Sequence, residues 1–374
     1  MLVHHEKYSK PYNPRMKRTL TLLTALIAIC TSAWSQKYSN EFLSIGVGAR
    51  AQGLGNAVIA RTDDVTSSAW NPAGLIGNTD LAGIQIGAMH NEWFAGVGKF
   101  DYAGVILPEW KGGRRIALSF IRFGIDDIPN TLSLYEADGT VNFDNISEFS
   151  AADYAFLASY AQPIKVQEGR LLIGGNVKVI HRIIGPFARS WGFGIDVGLQ
   201  YHRGPWSFAA VGRDLTSTFN AWSFDFTDEE KETLSLTNNE IPINSVEVTK
   251  PTLILGAARR FQLNQVGITP ELDLYVTTDG QRNVLISGDP ISIDPAFGIE
   301  ADYGRFIFLR AGVNQFQEIS GFGDTQNWQA RPSLGVGFAF AALQLDYAFS
   351  DQTGLDNGYS HVISLLVNLK KGGQ

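Results

Sequence analysis

Four acids raise the first question of chemistry. Glu271 and Asp273, then Glu300 and Asp302, lie two residues apart on the strand-like stretches 266–277 and 294–303. Strand side chains alternate with a period of two, so each pair shares a face. Paired carboxylates could perform acid–base hydrolysis. Their setting points elsewhere, because the same kind of face carries Asp196, Arg310 and Asp346 among small residues on other stretches. A hydrated polar interior is the expectation. A second candidate is the pair Gly46-x-Gly48 and Gly53-x-Gly55, which suggests a phosphate loop. No lysine–serine pair follows it and no strand–helix unit surrounds it. These glycines read better as backbone threaded close to other backbone, where no larger residue fits. Six histidines are scattered, with no pair at helical metal-ligand spacing, and Gly-x-Ser-x-Gly is absent. The sequence therefore predicts no enzyme activity, no catalytic residue, no metal site and no cofactor.

The elements that would position these residues are long two-faced strands. In Trp191–His202, Trp191, Phe193, Ile195, Val197, Leu199 and Tyr201 share one face. Gly192, Gly194, Asp196, Gly198, Gln200 and His202 share the other. The two aromatic ends are roughly 33 Å apart along a strand, or about 25 Å along the membrane normal at ~40° of tilt. That matches the apolar band of an outer-membrane barrel with an aromatic at each interface. About 14 stretches repeat the pattern: 81–91, 96–108, 114–124, 151–162, 170–183, 189–203, 205–213, 251–261, 266–277, 294–303, 305–314, 332–340, 342–349 and 360–369. Charges on them mostly share the small-residue face. Arg or Lys facing lipid at mid-depth costs about 2–4 kcal/mol, so the pattern reads as apolar outside and polar inside. A soluble β-sandwich is the competing reading. Strands this long and numerous exceed its usual five or six residues. The predicted fold is all-β, a transmembrane antiparallel barrel of about 14 strands.

The chain's beginning and composition agree with export. Met16-Lys-Arg, an apolar run from Leu20 to Ile29 and Ala33-Trp-Ser35 form a signal peptide. Residues 1–35 are thus expected to be removed, with Met16 the natural start. Cys30 raises the question of lipidation, but Ile29 before it is too large. Without the leader, which has five basic residues and one acid, the formal charge moves from −7 to −11. An acidic surface argues against nucleic acid as a partner. No stretch is long and apolar enough for a spanning helix, so a membrane protein of this composition is a barrel.

Connections alternate between tight, such as Gly204-Pro205, Gly304 and Ala341-Ala342, and long, 125–150, 214–250 and 315–331. The longest, 214–250, contains Thr227 followed by acids, a helix-start signal. It also carries Phe219, Trp222, Phe224 and Phe226. Exposed aromatics are enriched at protein interfaces, so these four are candidates for partner binding; packing back onto the barrel mouth is the alternative.

Residues 36–80 differ from the rest. Gly53-Leu-Gly55-Asn56-Ala57, then Asp63-Asp64, then Ala69-Trp-Asn71-Pro72-Ala73-Gly74 resembles the amino-terminal hatch of the long-chain fatty-acid transporter (FadL-type) barrels. Together with Thr218–Phe226, Asn239–Pro242 and Pro251–Gly256, it is more closely similar to the PorV/PorQ branch of that group from Bacteroidota. The resemblance implies that 36–80 is a hatch inside the lumen of the barrel 81–370. It gives Gly46, Gly48, Gly53, Gly55, Asn56, Asn71, Pro72 and Ala73 structural roles there. It also implies residence in the cell outer membrane, in contact with its lipid, and a part in type IX protein secretion. The partners it implies are cargo signal domains, the translocon barrel and surface attachment proteins. Three functions follow: a secretion accessory gripping proteins with its outer loops, a passive transporter of hydrophobic small molecules, and a porin-like structural barrel.

Overall fold

The computed structural model describes residues 39–78, 83–136, 139–320, 326–351 and 358–369. The expected leader, with Met16 and Cys30, lies outside them. The barrel is built from β1 (Ile84–Trp93), β2 (Gly98–Ile106), β3 (Arg115–Asn130), β4 (Ser147–Ile164), β5 (Arg170–Ile184), β6 (Ala188–Arg203), β7 (Trp206–Arg213) and β8 (Thr218–Phe224). It continues with β9 (Ser245–Thr249), β10 (Thr252–Arg259), β11 (Phe261–Leu263), β12 (Val266–Thr277), β13 (Ser292–Tyr303), β14 (Ile307–Ser320), β15 (Gln326–Phe340), β16 (Leu343–Asp351) and β17 (Tyr359–Leu369). All paired strands run antiparallel, and β17 returns to β1 with Leu369 opposite Ile84. Closure removes the free edges that an open sheet would expose.

Some of these segments are lengths of one stave. β6 pairs with both β7 and β8, β7 pairs with β10, and β8 pairs with β9. Likewise β12 pairs with both β10 and β11. The result is a closed 14-stranded antiparallel barrel.

The alternation read from the sequence is the alternation of the wall. Trp191, Phe193, Ile195 and Leu199 are exposed on the outside, whereas Asp196 and Gln200 are buried. Phe297 and Ile299 face out; Glu300 and Asp302 face in. One rim has tight turns at 204–205, 264–265, 304–306 and 341–342. The opposite rim carries the long connections 131–146, 225–244 and 278–291.

Three predicted loops are shorter than expected. β3 reaches Asn130 and β4 starts at Ser147, and β14 and β15 extend across much of 315–331. The largest correction concerns 214–250: its two ends are β8 and β9, and the connection itself is 225–244. Above the apolar band the outer face is no longer uniformly apolar, so hydrophobic alternation fades although backbone pairing continues. Bulges between Ile125 and Ile128 and between Asn314 and Gln317 interrupt the period as well. The helix signal at Thr227 marks a real helix, Asp228–Leu236. The Thr227 hydroxyl accepts from the Glu230 amide at 3.2 Å, and the Glu230 carboxylate accepts from the Thr227 amide at 2.8 Å.

Candidate functional site: the filled lumen and its vestibule

Residues 39–77 form short helical turns, Glu41–Ser44, Ala49–Gly53, Ser67–Trp70 and Pro72–Ile76, joined by irregular backbone. Helices this short are not stable alone; packing holds them. Most of their side chains are buried, and they bond to inward residues from opposite sides of the cylinder. The Val65 amide donates to Gln85 on β1 at 2.6 Å, the Ala49 amide to Ser364 on β17 at 2.7 Å, and the Gly55 amide to Ser333 on β15 at 3.0 Å. From the wall, the Gln200 amide on β6 donates to the Ile59 carbonyl at 3.0 Å and the Asn176 amide on β5 to the Ser68 carbonyl at 2.6 Å. Bonds to strands all round the barrel place this inner segment in the lumen.

The motif residues serve its close packing. Gly46 and Gly48 precede the turn Ala49–Gly53, both at positive φ (108° and 94°). Gly55 combines φ 60° with contact against β14, where an added Cβ would stand 2.6 Å from the Val313 nitrogen. An L residue would be strained and would collide. Gly53 abuts the backbone of Gly335 on β15. Asn56 donates to the Ile45 carbonyl at 3.4 Å, and its own carbonyl accepts from the Tyr275 hydroxyl at 3.0 Å. Asn71 is a local capping residue and a tie to the wall at once. Its side-chain oxygen accepts from the Ala73 amide at 3.1 Å, while its nitrogen donates to the carbonyls of Ile59 (3.0 Å) and Leu199 on β6 (3.1 Å). Pro72 starts the following turn, and Pro72 and Ala73 lie against Gly174 of β5.

The acids singled out in the sequence are placed differently from expectation. They do not line a hydrated lumen; they are buried against the inner segment or against partner cations. Asp273 accepts from the Val58 amide at 2.8 Å and the Ile59 amide at 3.1 Å, and Glu271 accepts from the Ala60 amide at 2.7 Å. Three consecutive backbone donors therefore end on two carboxylates of β12. Glu300 meets Arg50 (3.3 Å) and Arg61 (3.6 Å) of the segment and Arg310 of β14 (2.8 Å). Arg310 also bridges to Asp346 at 2.7 Å. Asp302 pairs with Arg260 at 2.8 Å. Lys178, unremarked in the sequence, holds Asp196 at 2.8 Å and Asp214 at 2.6 Å. A long polar side chain on the small-residue face of a strand was the available signal for Lys178, Gln85 and Gln200.

Above the inner segment, at the long-loop rim, lies a vestibule of about 790 Å³. Residues Ser39–Ile45, Asn56 and Trp70 are among its lining. Trp93, Phe123 and Tyr275 supply aromatic surface from the wall; Arg182, Arg213 and Arg282 supply charge. Arg213 stands over the Trp70 ring at 5.9 Å, and Arg182 pairs with Asp153 at 2.8 Å. Glu41 is exposed to the vestibule, and the protein crowded round it at the barrel mouth raises its carboxyl pKa by desolvation, against the lowering effect of Arg282.

The four loop aromatics fall in different places. Phe219, Trp222 and Phe224 are on β8, in the wall, and only Phe226 is in the connection. Phe219 is half exposed on the outer face, whereas Trp222 turns inward beneath Arg182, 5.1 Å from its ring. Trp222, Phe224, Phe226 and Phe187 form a chain of stacked rings along the rim. Among the described residues no group of three or more His, Cys, Asp or Glu is arranged to hold a metal ion.

Comparison with solved structures settles the fold. The barrel superposes on the toluene transporter TodX of Pseudomonas putida with a TM-score of 0.54 at 12% identity, covering 91% of this chain and 100% of that one. The chain has the fold of the FadL-type transport barrels. The monoaromatic hydrocarbon channel CymD matches with a TM-score of 0.51 at 15% identity, over 88% of this chain and 99% of that one. A Pseudomonas aeruginosa FadL homologue gives 0.51 at 10% identity, over 87% and 98%. No family model matches the sequence, and no curated protein matches it.

Proposed function

We propose that this protein is an outer-membrane barrel that admits a hydrophobic or amphipathic small molecule into its loop-side vestibule, with the inner segment as a movable floor. The tight-turn rim faces the periplasm and the long-loop rim faces outward, the usual orientation of such barrels. The vestibule carries this reading. Its volume, about 790 Å³, is in the range of small-molecule sites, and it joins aromatic walls to a few polar anchors. The structural neighbours support it, being a toluene transporter and a monoaromatic hydrocarbon channel. No conversion of the ligand is involved.

The floor must shift for passage, so a tether should stop transport. Ala49→Cys with Ser364→Cys joins the segment to β17 where the Ala49 amide meets the Ser364 hydroxyl. Uptake of a labelled apolar compound by cells should fall at least tenfold under oxidant and recover with reductant. Undiminished uptake through the tethered barrel would rule out a moving floor.

One feature favours a second reading, a PorV-like accessory of type IX secretion. On the connection 225–244, Leu236 and Ile243 are 80% and 78% exposed. Exposed apolar residues on a projecting loop mark contact sites for proteins. The deletion that tests this is 226–243, since a wider one would cut β8 out of the wall. Loss of co-purification with secretion partners, with the barrel still folded, is the expected result. Normal cargo release after that deletion would refute it.

A further inference from the structure

The outer surface departs from its own rule on β1, β2 and β3. There His90, Glu92, Lys99, Asp101 and Arg122 point outward, on the face that elsewhere is apolar. Glu92, His90, Asp101 and Arg122 form one hydrogen-bonded chain, and Lys99 makes a separate pair beside it. His90 Nδ1 lies 2.7 Å and its Nε2 3.2 Å from carboxylate oxygens of Asp101 and Glu92 respectively. Arg122 donates to Asp101 at 3.3 Å, and Lys99 pairs with Asp126 at 2.9 Å. His90 and Glu92 are about half exposed.

Depth makes this patch notable. On β6 the apolar outer run extends from Tyr201 to Trp191. On β1 it stops at Ala88, on β2 at Ala103 and on β3 at Phe120. With a rise of ~3.3 Å per residue and a tilt of ~40°, His90, Asp101 and Arg122 stand roughly 15 Å above the tight-turn rim, near the middle of a band ~25 Å tall. Charges at that depth are disfavoured against hydrocarbon, so something other than acyl chains covers them. On the inner side of the same strands Phe100, Tyr102 and Ile121 are buried, with the uncharged Gln85, Asn91 and Ser119 among them, so here the charges stand outside and not inside.

We propose that the patch is the contact between two copies of this chain, arranged in parallel about a two-fold axis along the membrane normal. The proposal rests on the outer-membrane reading above. Only a two-fold along the normal keeps both copies in the same orientation and at the same height. Such an axis passing by β2 sets β1 of one copy against β3 of the other. Glu92 then meets the second copy's Arg122 at nearly equal depth, an opposite-charge pairing made twice. An anionic lipid headgroup fits less well, because the patch has three acids, with Asp126, to two permanent bases.

Ala103, exposed on β2 beside Asp101, lies closest to this axis. Ala103→Cys should cross-link to a dimer under mild oxidant in intact outer membranes. Leu272→Cys, exposed on β12 away from the patch, should stay monomeric. Charge reversal sharpens the test. Arg122→Glu should lower the cross-linked fraction at position 103 at least fivefold, and adding Glu92→Arg should restore most of it. Heat-modifiable mobility checks that each variant is a folded barrel. A folded protein in the outer-membrane fraction with no dimer at position 103, or with a photo-cross-linker at position 101 capturing a different protein, overturns the proposal and leaves the membrane reading standing. Absence of the folded protein from that fraction overturns both.

Discussion

The two walls of the barrel hold the inner segment by different forces. Along β1–β5 the contact is mainly apolar: Phe100, Ile121, Leu157, Leu172 and Ile180 pack with Phe42, Val47, Val65 and Leu75 of the segment, and the polar ties there, such as Gln85 to Val65 and Asn176 to Ser68, are made by uncharged side chains. Along β12–β16 it is polar and directional: Glu271 and Asp273 take three backbone amides, and Glu300 takes two arginines. Apolar packing is non-directional and tolerates sliding, whereas hydrogen bonds to buried charge hold one register. In the proposed movement of the segment, the β12–β16 side is the clamp and the β1–β5 side the surface that gives way.

Removing a charge from the clamp should do most damage. Arg310→Ala leaves Glu300 and Asp346 buried beside each other without their shared cation. The expected loss is about 3–5 kcal/mol of barrel stability, read from denaturant unfolding in detergent. Arg310→Met with Asp346→Leu should recover part of it, and if it does not, charge is not what holds this wall. On the oily wall, Ile121→Ala should cost about 2–4 kcal/mol through the cavity it leaves, while amide exchange at 58–60 stays slow. Faster exchange there would mean that the two walls act as one. Asp273→Ala should cost roughly 1–3 kcal/mol and speed exchange at Val58 and Ile59 while sparing Leu75. The smallest effect belongs to Glu41. Its pKa is raised when the segment is seated, so seating is strongest with the carboxyl protonated. Docking should weaken as pH rises from the ordinary carboxylate range through the raised value. Glu41→Gln should abolish that pH dependence of proteolysis near residue 41.

Most of the barrel was legible in the sequence because an apolar outer face and a crowded lumen impose strict alternation. Trp191 to Tyr201 shows it in full. Where the apolar outer band ends, the signal ends, so β8 and β9 carry no strand pattern although their backbones pair as regularly as the rest. The glycines of 46–55 announced close approach of backbones, and Gly53 against Gly335 is such a contact. What Glu271 and Asp273 face was not legible. Alternation tells which side of a strand a residue occupies; it cannot tell whether water or a folded-back segment stands there. The outward charges of β1–β3 were visible as residues, but their anomaly appears only when the register fixes their depth.

Single-channel conductance in planar bilayers tests the filled lumen most directly. The wild-type barrel should show no steady ion current, and Glu271→Ala with Asp273→Ala should produce intermittent openings as the segment loosens from β12. A large, steady conductance from the wild-type protein would contradict a lumen closed by residues 39–77.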